Sequence, residues 1–496
     1  MKRVAFENQW LGKARGAASL TALSLVLTGC AVGPRFTSPE PPKADRYGAT
    51  PAPAQVGDAG VPGGGVQALK TGEAVPEKWW TAFGSAALDQ RVEDALAHSP
   101  GLEAARASLK QSEEVLRASK GAWFPSADAA AGVSRVKESV ASGGTGTPFT
   151  LYNASVNVSY TLDLFGGVRR GVEIKSAQAD YQRWLAEGAA LSLASNVTTA
   201  TFQEAALQEQ IGATQEVVKL LQEQSDLAAK QYAIGVKSQG DLLAVQSRLA
   251  SAQAQLPPLQ LALASVRNQL AVLMGHLPSE GVAPAGDLSG YTLPAEVPLT
   301  VPSELVRQRP DVLAAEAQLH AATAQVGLST ANLFPQITLG GSYGSSATQT
   351  KDLFKEPTTG WSLGLNLLQP IFHGGSLRAQ KRAAEAGLDG ASATYRASVL
   401  NAFANVSDTL NALQYDADAL AAQSQAEQAA AKSLDIVKAQ YRLGAASYLQ
   451  LLDATRQWQQ ARVGYIQARA ARLSDTAALY AALGGGWRQR ETAGKR

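Results

Sequence analysis

Residues 151–165 read LYNASVNVSYTLDLF. Apolar side chains occupy Tyr152, Ala154, Val156, Val158, Tyr160, Leu162 and Leu164, while polar ones fill Asn153, Ser155, Asn157, Ser159, Thr161 and Asp163. A period of two sends alternate side chains to opposite sides of a strand, so the segment has one apolar and one polar face. A strand of a sandwich core alternates in the same way. Here it lies between long Ala-, Gln- and Leu-rich stretches of helical character, in a chain that opens with an export-type segment. That setting points to a membrane-crossing strand of a barrel with a polar lumen.

The chain has 496 residues, 17% of them charged, with a net charge of +2. After the N-terminus no apolar run reaches the ~18–20 residues of a membrane-spanning helix. No basic patch interleaved with aromatics is present, so nucleic acid is not an expected partner. Residues 1–29 read as a signal peptide. Lys2, Arg3, Lys13 and Arg15 form a basic region ahead of a short apolar one, which ends in Leu27-Thr28-Gly29-Cys30. This resembles a lipobox, which predicts cleavage before Cys30 and a covalent lipid there (diacylglycerol and an N-acyl chain). Cys30 is the only cysteine, which excludes an internal disulfide and a thiolate metal site. Ala31, rather than Asp, after it fits sorting to the outer membrane. No other cofactor is expected.

Residues 30–78 are rich in Pro, Gly and Ala and should run extended or loose. Order begins at Trp79-Trp80-Thr81-Ala82-Phe83, with a short helical stretch at 88–97. From Pro100 the chain repeats. Residues 100–125 lie on 310–335 without a gap, and Pro100, Ala104, Ala105, Ala107, Leu109, Ser119, Phe124 and Pro125 meet identical residues. Further on, Gln231, Tyr232, Gly235, Ser238, Leu242 and Leu243 match Gln440, Tyr441, Gly444, Ser447, Leu451 and Leu452. Each half therefore reads helix, strand, strand, long helix, turn, helix. The first spans 79–275 with its hairpin at about 123–165, and the second 310–484 with its hairpin at about 334–372. Residues 276–309 link them and 485–496 form a tail.

The long helices are expected over 168–232 and 376–441, roughly 100 Å each at 1.5 Å per residue. The shorter ones, 100–122 with 237–275 and 310–331 with 447–483, sum to nearly the same length. Pro257-Pro258 should kink or restart the first copy. Four strands cannot close a barrel, and open sheet edges are not tolerated in lipid. The chain must oligomerise: two copies supply eight strands and three supply twelve. Only the larger barrel leaves a wide aqueous bore.

Local signatures now accumulate in order: Cys30-Ala31-Val32-Gly33-Pro34; Trp79-Trp80 with Phe83; Leu162-Asp163-Leu164-Phe165-Gly166; Arg309-Pro310-Asp311; Pro370-Ile371-Phe372; and Ala482-Leu483-Gly484-Gly485-Gly486-Trp487. Over nearly its whole length the chain resembles the TolC-like outer-membrane efflux proteins, in the lipoprotein (OprM/NodT) branch that serves RND pumps. The resemblance implies a mixed fold, with a long antiparallel α-helical barrel plus four transmembrane strands per chain that complete a twelve-stranded barrel in a homotrimer. It further implies a periplasmic adaptor and an inner-membrane RND transporter as partners, in the outer membrane of a Gram-negative bacterium.

The family closes its periplasmic end where the helices turn. Leu449, Asp453 and Arg456 match its constriction motif, and their i, i+4, i+7 spacing puts them on one helix face. Asp and Arg at this spacing also form ordinary surface pairs. The first-half counterparts are Gly240, Ala244 and Ser247, so the two turns are not equivalent. The turns with Gly235, Ser238, Gly444 and Ser447 are candidate adaptor contacts, although Gly and Ser also suit a plain turn. Asn153, Asn157, Asp163 and Asn366 are expected to wet the bore. No enzyme is indicated. His98, His276, His320 and His373 are scattered without a carboxylate at ligand spacing, and no G-x-S-x-G, P-loop or nucleotide fingerprint is present. The competing readings are a duct for an ABC- or MFS-driven exporter or for secretion, and a structural periplasmic coiled-coil lipoprotein.

Overall fold

The computed structural model describes residues 31–487, apart from 59, 140, 142–145 and 285. The expected signal peptide, the lipid site Cys30 and residues 488–496 of the tail lie outside the described residues. The helices are α1 Ala86–His98, α2 Pro100–Lys120, α3 Gly167–Ala233, α4 Gln239–Gln253, α5 Leu256–Leu273, α6 Pro302–Leu305, α7 Pro310–Ala331, α8 Ser376–Arg442 and α9 Tyr448–Ala482. The strands are β1 Gln55–Val56, β2 Gln67–Thr71, β3 Ser126–Val136, β4 Phe149–Leu162, β5 Glu296–Leu299, β6 Gln336–Ala347 and β7 Thr359–Leu368. Helices α3 and α8 have 67 residues each, or about 100 Å at 1.5 Å per residue. Pro257 and Pro258 stand in the first turn of α5, where a missing N–H costs nothing, so the chain restarts there. Helix α9 lacks such a pair and runs unbroken for 35 residues. No described helix is long and apolar enough to cross a membrane.

Two compact units are present. Among the described residues, the first comprises 31–39, 109–182 and 315–395. It holds a four-stranded sheet in the order β3-β4-β6-β7, antiparallel throughout. β4 ends at Leu162, three residues before the alternating stretch does. The cause is Asp163, whose carboxylate accepts the backbone N–H of Val168 at 3.0 Å and of Arg169 at 2.8 Å. These are unpaired donors of the first turn of α3, where a carboxylate also meets the positive end of the helix dipole. Asp163 is thus a helix cap, which corrects its expected place on the bore wall.

The segment after Cys30 is docked, not loose. The Val32 N–H donates to the Phe165 carbonyl at 3.2 Å, and Arg170 Nη2 donates to the Pro34 carbonyl at 2.8 Å. Phe36 stacks on His320 at 4.3 Å. Gly33 has φ +88°, and a Cβ there would fall 2.6 Å from the Gly327 backbone, so only glycine fits.

Among the described residues, the second unit comprises 40–108, 183–314 and 396–487. Its core contains an aromatic cluster. Trp79 stacks on Tyr480 at 5.5 Å, and Phe83 meets Phe202 edge-on at 5.0 Å. The Trp-Trp-x-x-Phe motif thus belongs to this core, but order does not begin there, because β1 and β2 precede it. The Pro/Gly-rich segment and the inter-repeat linker are more structured than expected. Strand β2 pairs antiparallel with β1 and parallel with β5. The β2 and β5 partners are 228 positions apart, so no local periodicity announces their pairing.

Folding also gives two of these scattered histidines a shared carboxylate, which corrects the expectation that they lack one. Asp94 Oδ1 lies 2.8 Å from His98 Nδ1, and Asp94 Oδ2 lies 2.7 Å from His276 Nε2. Glu280 stands 3.6 Å from the other His276 nitrogen. The hydrogen bond to Asp94 raises the affinity of His276 for its proton. A raised imidazole pKa stabilises the fold fully below the ordinary imidazole value, and the contribution is lost as pH rises through the folded-state value. His276→Ala should therefore lower the thermal midpoint most at about pH 6 and progressively less toward about pH 9. A midpoint deficit independent of pH would remove the ion pair from this account.

Candidate functional site

The sheet registers its alternating strands so that like faces coincide. One side carries the rows Tyr160-Leu339-Leu365, Val158-Gly341-Leu363 and Val156-Tyr343-Trp361, with Ala127, Ala129 and Ala131 continuing across β3. The other side carries Asp128-Asn157-Ser342-Ser362 and Thr161-Thr338-Asn366, with a 2.8 Å bond between the Ser342 and Ser362 hydroxyls. Asn153, Asn157 and Asn366 stand on this polar side. The apolar side is uncovered: Trp361 is 78% and Leu363 71% exposed. Aromatic residues stand toward both ends of the sheet. Tyr152, Tyr343 and Trp361 lie toward one end, while Phe124, Phe165, Phe334 and Phe372 stand just beyond the strand ends at the other. Along the chain Tyr343 stands 9 residues from Phe334, Trp361 11 from Phe372 and Tyr152 13 from Phe165. Strands β3 and β7 are paired on one side only.

The second candidate region is the pair of helix turns. Each turn is a Schellman motif. After α3, Val236 N–H donates to the Gln231 carbonyl at 2.8 Å and Gly235 N–H to Tyr232 at 2.9 Å; after α8, Ala445 donates to Gln440 at 2.8 Å and Gly444 to Tyr441 at 3.1 Å. Both glycines are left-handed, at φ +74° and +76°, as this cap requires. Ser238 and Ser447 then begin the next helix through capping boxes with Asp241 and Gln450. These four residues shape the turns, and the exposed apolar side chains there are Ile234, Val236 and Leu443. The two turns are joined by Lys237, whose ammonium sits 4.2 Å from the Tyr448 ring centre and 3.3 Å from the Tyr441 hydroxyl. The sequence offered no signal for this cluster, since a lysine in the first turn has no counterpart in the repeat.

Leu449, Asp453 and Arg456 share the outward face of α9. The helix is oriented by its neighbours in sequence: Leu451 packs with Leu434, and Leu452 with Val217, Leu221 and Ala252. That leaves Leu449 67% exposed. Arg456 Nη2 donates to Asp453 Oδ1 at 2.8 Å, and Gln457 Nε2 to the other oxygen at 2.7 Å. The hydrogen bond from Arg456 holds the Asp453 carboxyl below its ordinary range. Both partners are about half exposed.

A family model described as "Outer membrane efflux protein" matches residues 92–276 and again 301–485. The "Pyoverdine export outer membrane protein OpmQ" of Pseudomonas aeruginosa is 33% identical over 425 residues, covering 83% of this chain and 87% of its own. The "Toluene efflux pump outer membrane protein TtgC" of Pseudomonas putida is 29% identical over 475 residues, 95% of either chain. Among solved structures, the outer-membrane channel OprN superposes with a TM-score of 0.82 at 27% identity, covering 92% of this chain and all of that one.

Proposed function

Because the chain belongs to the outer membrane efflux protein family, we propose that it is the outer-membrane exit duct of a tripartite efflux pump. The observation that carries this reading is the sheet with one apolar face, one polar face and two unpaired edges. Within lipid, the free N–H and C=O groups of β3 and β7 must find partners. The strands alternate in direction, so β7 of one copy meets β3 of the next in antiparallel sense. A closed ring thus contains a multiple of four strands. Eight would leave an interior filled by side chains, whereas the twelve of a homotrimer enclose an aqueous bore. The apolar face meets lipid, and Asn153, Asn157 and Asn366 wet the bore.

The long helices α3 and α8, with α4, α5 and α9, form the periplasmic tunnel. Its constriction is built from rings of Leu449, Asp453 and Arg456. The turns with Gly235, Ser238, Gly444 and Ser447 present Ile234, Val236 and Leu443 to a periplasmic adaptor. The resemblance to the branch that serves RND pumps supports an inner-membrane RND transporter as the partner that drives transport and selects the substrate. Lipidation at Cys30 is supported by the neighbouring segment, which docks beside the end of β4 through Val32 and Phe165. The relatives' names mention pyoverdine and toluene, different cargoes, which suits a passive duct. The test is conductance of the purified protein in planar bilayers, alone and with its adaptor. Ion current that appears or rises with the adaptor is expected, and an electrically silent membrane under both conditions would contradict the proposal.

A further inference from the structure

We propose that the β6–β7 connection, residues 348–358, is a membrane-boundary anchor that seats Phe354 between acyl chains and headgroups on the lipid-facing side of the sheet. This rests on the reading of the sheet as membrane-spanning.

The connection folds over one particular face. Ser345 and Ala347 share the apolar side with Tyr343, yet they are 3% and 5% exposed against 54% for Tyr343. What covers this end of the strand is the connection itself. Phe354 N–H donates to Ser345 Oγ at 2.9 Å, and Ser345 Oγ donates to Thr358 Oγ1 at 3.1 Å. Thr358 Oγ1 also bonds to the Asp352 carbonyl at 2.7 Å, and Lys355 pairs with Asp352 at 2.7 Å. The loop is therefore held rigidly against the outer side of β6.

Within that loop, Phe354 is the only non-glycine among the described residues with a positive φ, at +64°. A bulky side chain in the left-handed region is strained, and Gly or Asn is the usual occupant. Strain of this kind persists where the surroundings impose it and something uses the result. Here the result is a ring that is 58% exposed. In water, an exposed aromatic in a strained conformation gains nothing. At the edge of a bilayer the same ring is stabilised, because aromatic side chains favour the zone between acyl chains and headgroups. The ring continues the belt of Tyr152, Tyr343 and Trp361 at that end of the sheet. Lys351, Asp352, Lys355 and Glu356 give the loop charges of both signs, suited to a headgroup layer.

The occupant is thus lipid, and the test is the depth of position 354. Cys30 is the only natural cysteine and the proposed lipidation blocks its thiol, so each introduced cysteine is the one reactive thiol. Nitroxide labels placed singly by Phe354→Cys, Leu363→Cys and Leu443→Cys in proteoliposomes are compared for accessibility to oxygen and to a water-soluble nickel chelate. The expected result ranks position 354 between the others, with chelate accessibility reduced several-fold from Leu443 and oxygen accessibility raised. A label at 354 that is as chelate-accessible as Leu443 overturns the anchor. So does a label shielded from both reagents, which would mean a second copy covers it. In either case a lipid signature at Leu363 leaves the barrel standing. Chelate access at Leu363 itself would sink the membrane reading and the anchor with it.

Discussion

Asp453→Ala combined with Arg456→Ala should raise the closed-state conductance of the reconstituted channel several-fold. In a single chain the pair is half exposed, and such a pair contributes little to stability. Its effect comes from position. The two residues lie on the face of α9 that its own chain leaves uncovered, one turn beyond exposed Leu449. Three copies around an axis would bring that face inward and set three carboxylates and three guanidiniums at the narrowest level. Charges confined in a narrow pore control ion passage far more than the same charges on a flat surface. Ionic strength offers a cross-check. The Debye length shrinks from about 8 Å at 0.15 M salt to about 3 Å at 1 M, so the ratio of variant to wild-type current should fall at high salt. Since Arg456 lowers the Asp453 pKa, the stabilisation is present above the ordinary carboxylate value and lost only as pH falls through the lower, folded-state value. The gate should not titrate through this pair between about pH 5 and 8. Unchanged closed-state current in the double variant would remove both residues from the constriction.

Leu363→Arg should abolish accumulation of the assembled protein in the outer membrane, whereas Ser362→Arg, one residue away, should assemble and alter ion selectivity. Leu363 sits in the middle row of the apolar face, beside Gly341 and Val158. An arginine facing lipid at mid-depth costs about 2–4 kcal/mol per chain, and a closed homotrimer would carry it three times. Ser362 faces the other way, in the row with Asp128 and Asn157, where water solvates the charge. The readouts are the amount of heat-resistant oligomer in purified outer membranes and the reversal potential in a salt gradient. Equal tolerance of both substitutions, or failure of Ser362→Arg alone, would reverse the assignment of faces.

Much of this was legible in the sequence because it is encoded by period. Alternation identified β4 and which of its residues share a face, and the Gln-Tyr-x-x-Gly-x-x-Ser recurrence marked both turns, since left-handed glycines and serine caps are chemical requirements of that geometry. Tertiary partners carry no period. Asp163 continues the alternation in letters but is drawn away by the α3 N-terminus. The β2–β5 pairing and the meeting of His98 and His276 at Asp94 join residues far apart in the chain. Lys237 between Tyr441 and Tyr448 breaks the repeat instead of following it. The gate residues occupy an intermediate position: their common face follows from spacing, whereas their exposure depends on Leu451 and Leu452 having buried the other side.

The central claim is that four strands per chain become a closed barrel by association of copies. The most direct test is the protein mass of the detergent-extracted outer-membrane particle, with bound detergent subtracted. The account predicts three chains, or about 150 kDa given 51.7 kDa for the full sequence and twelve strands in a barrel with an aqueous bore. A particle of one chain that survives mild detergent would leave β3 and β7 unpaired in lipid and would contradict it.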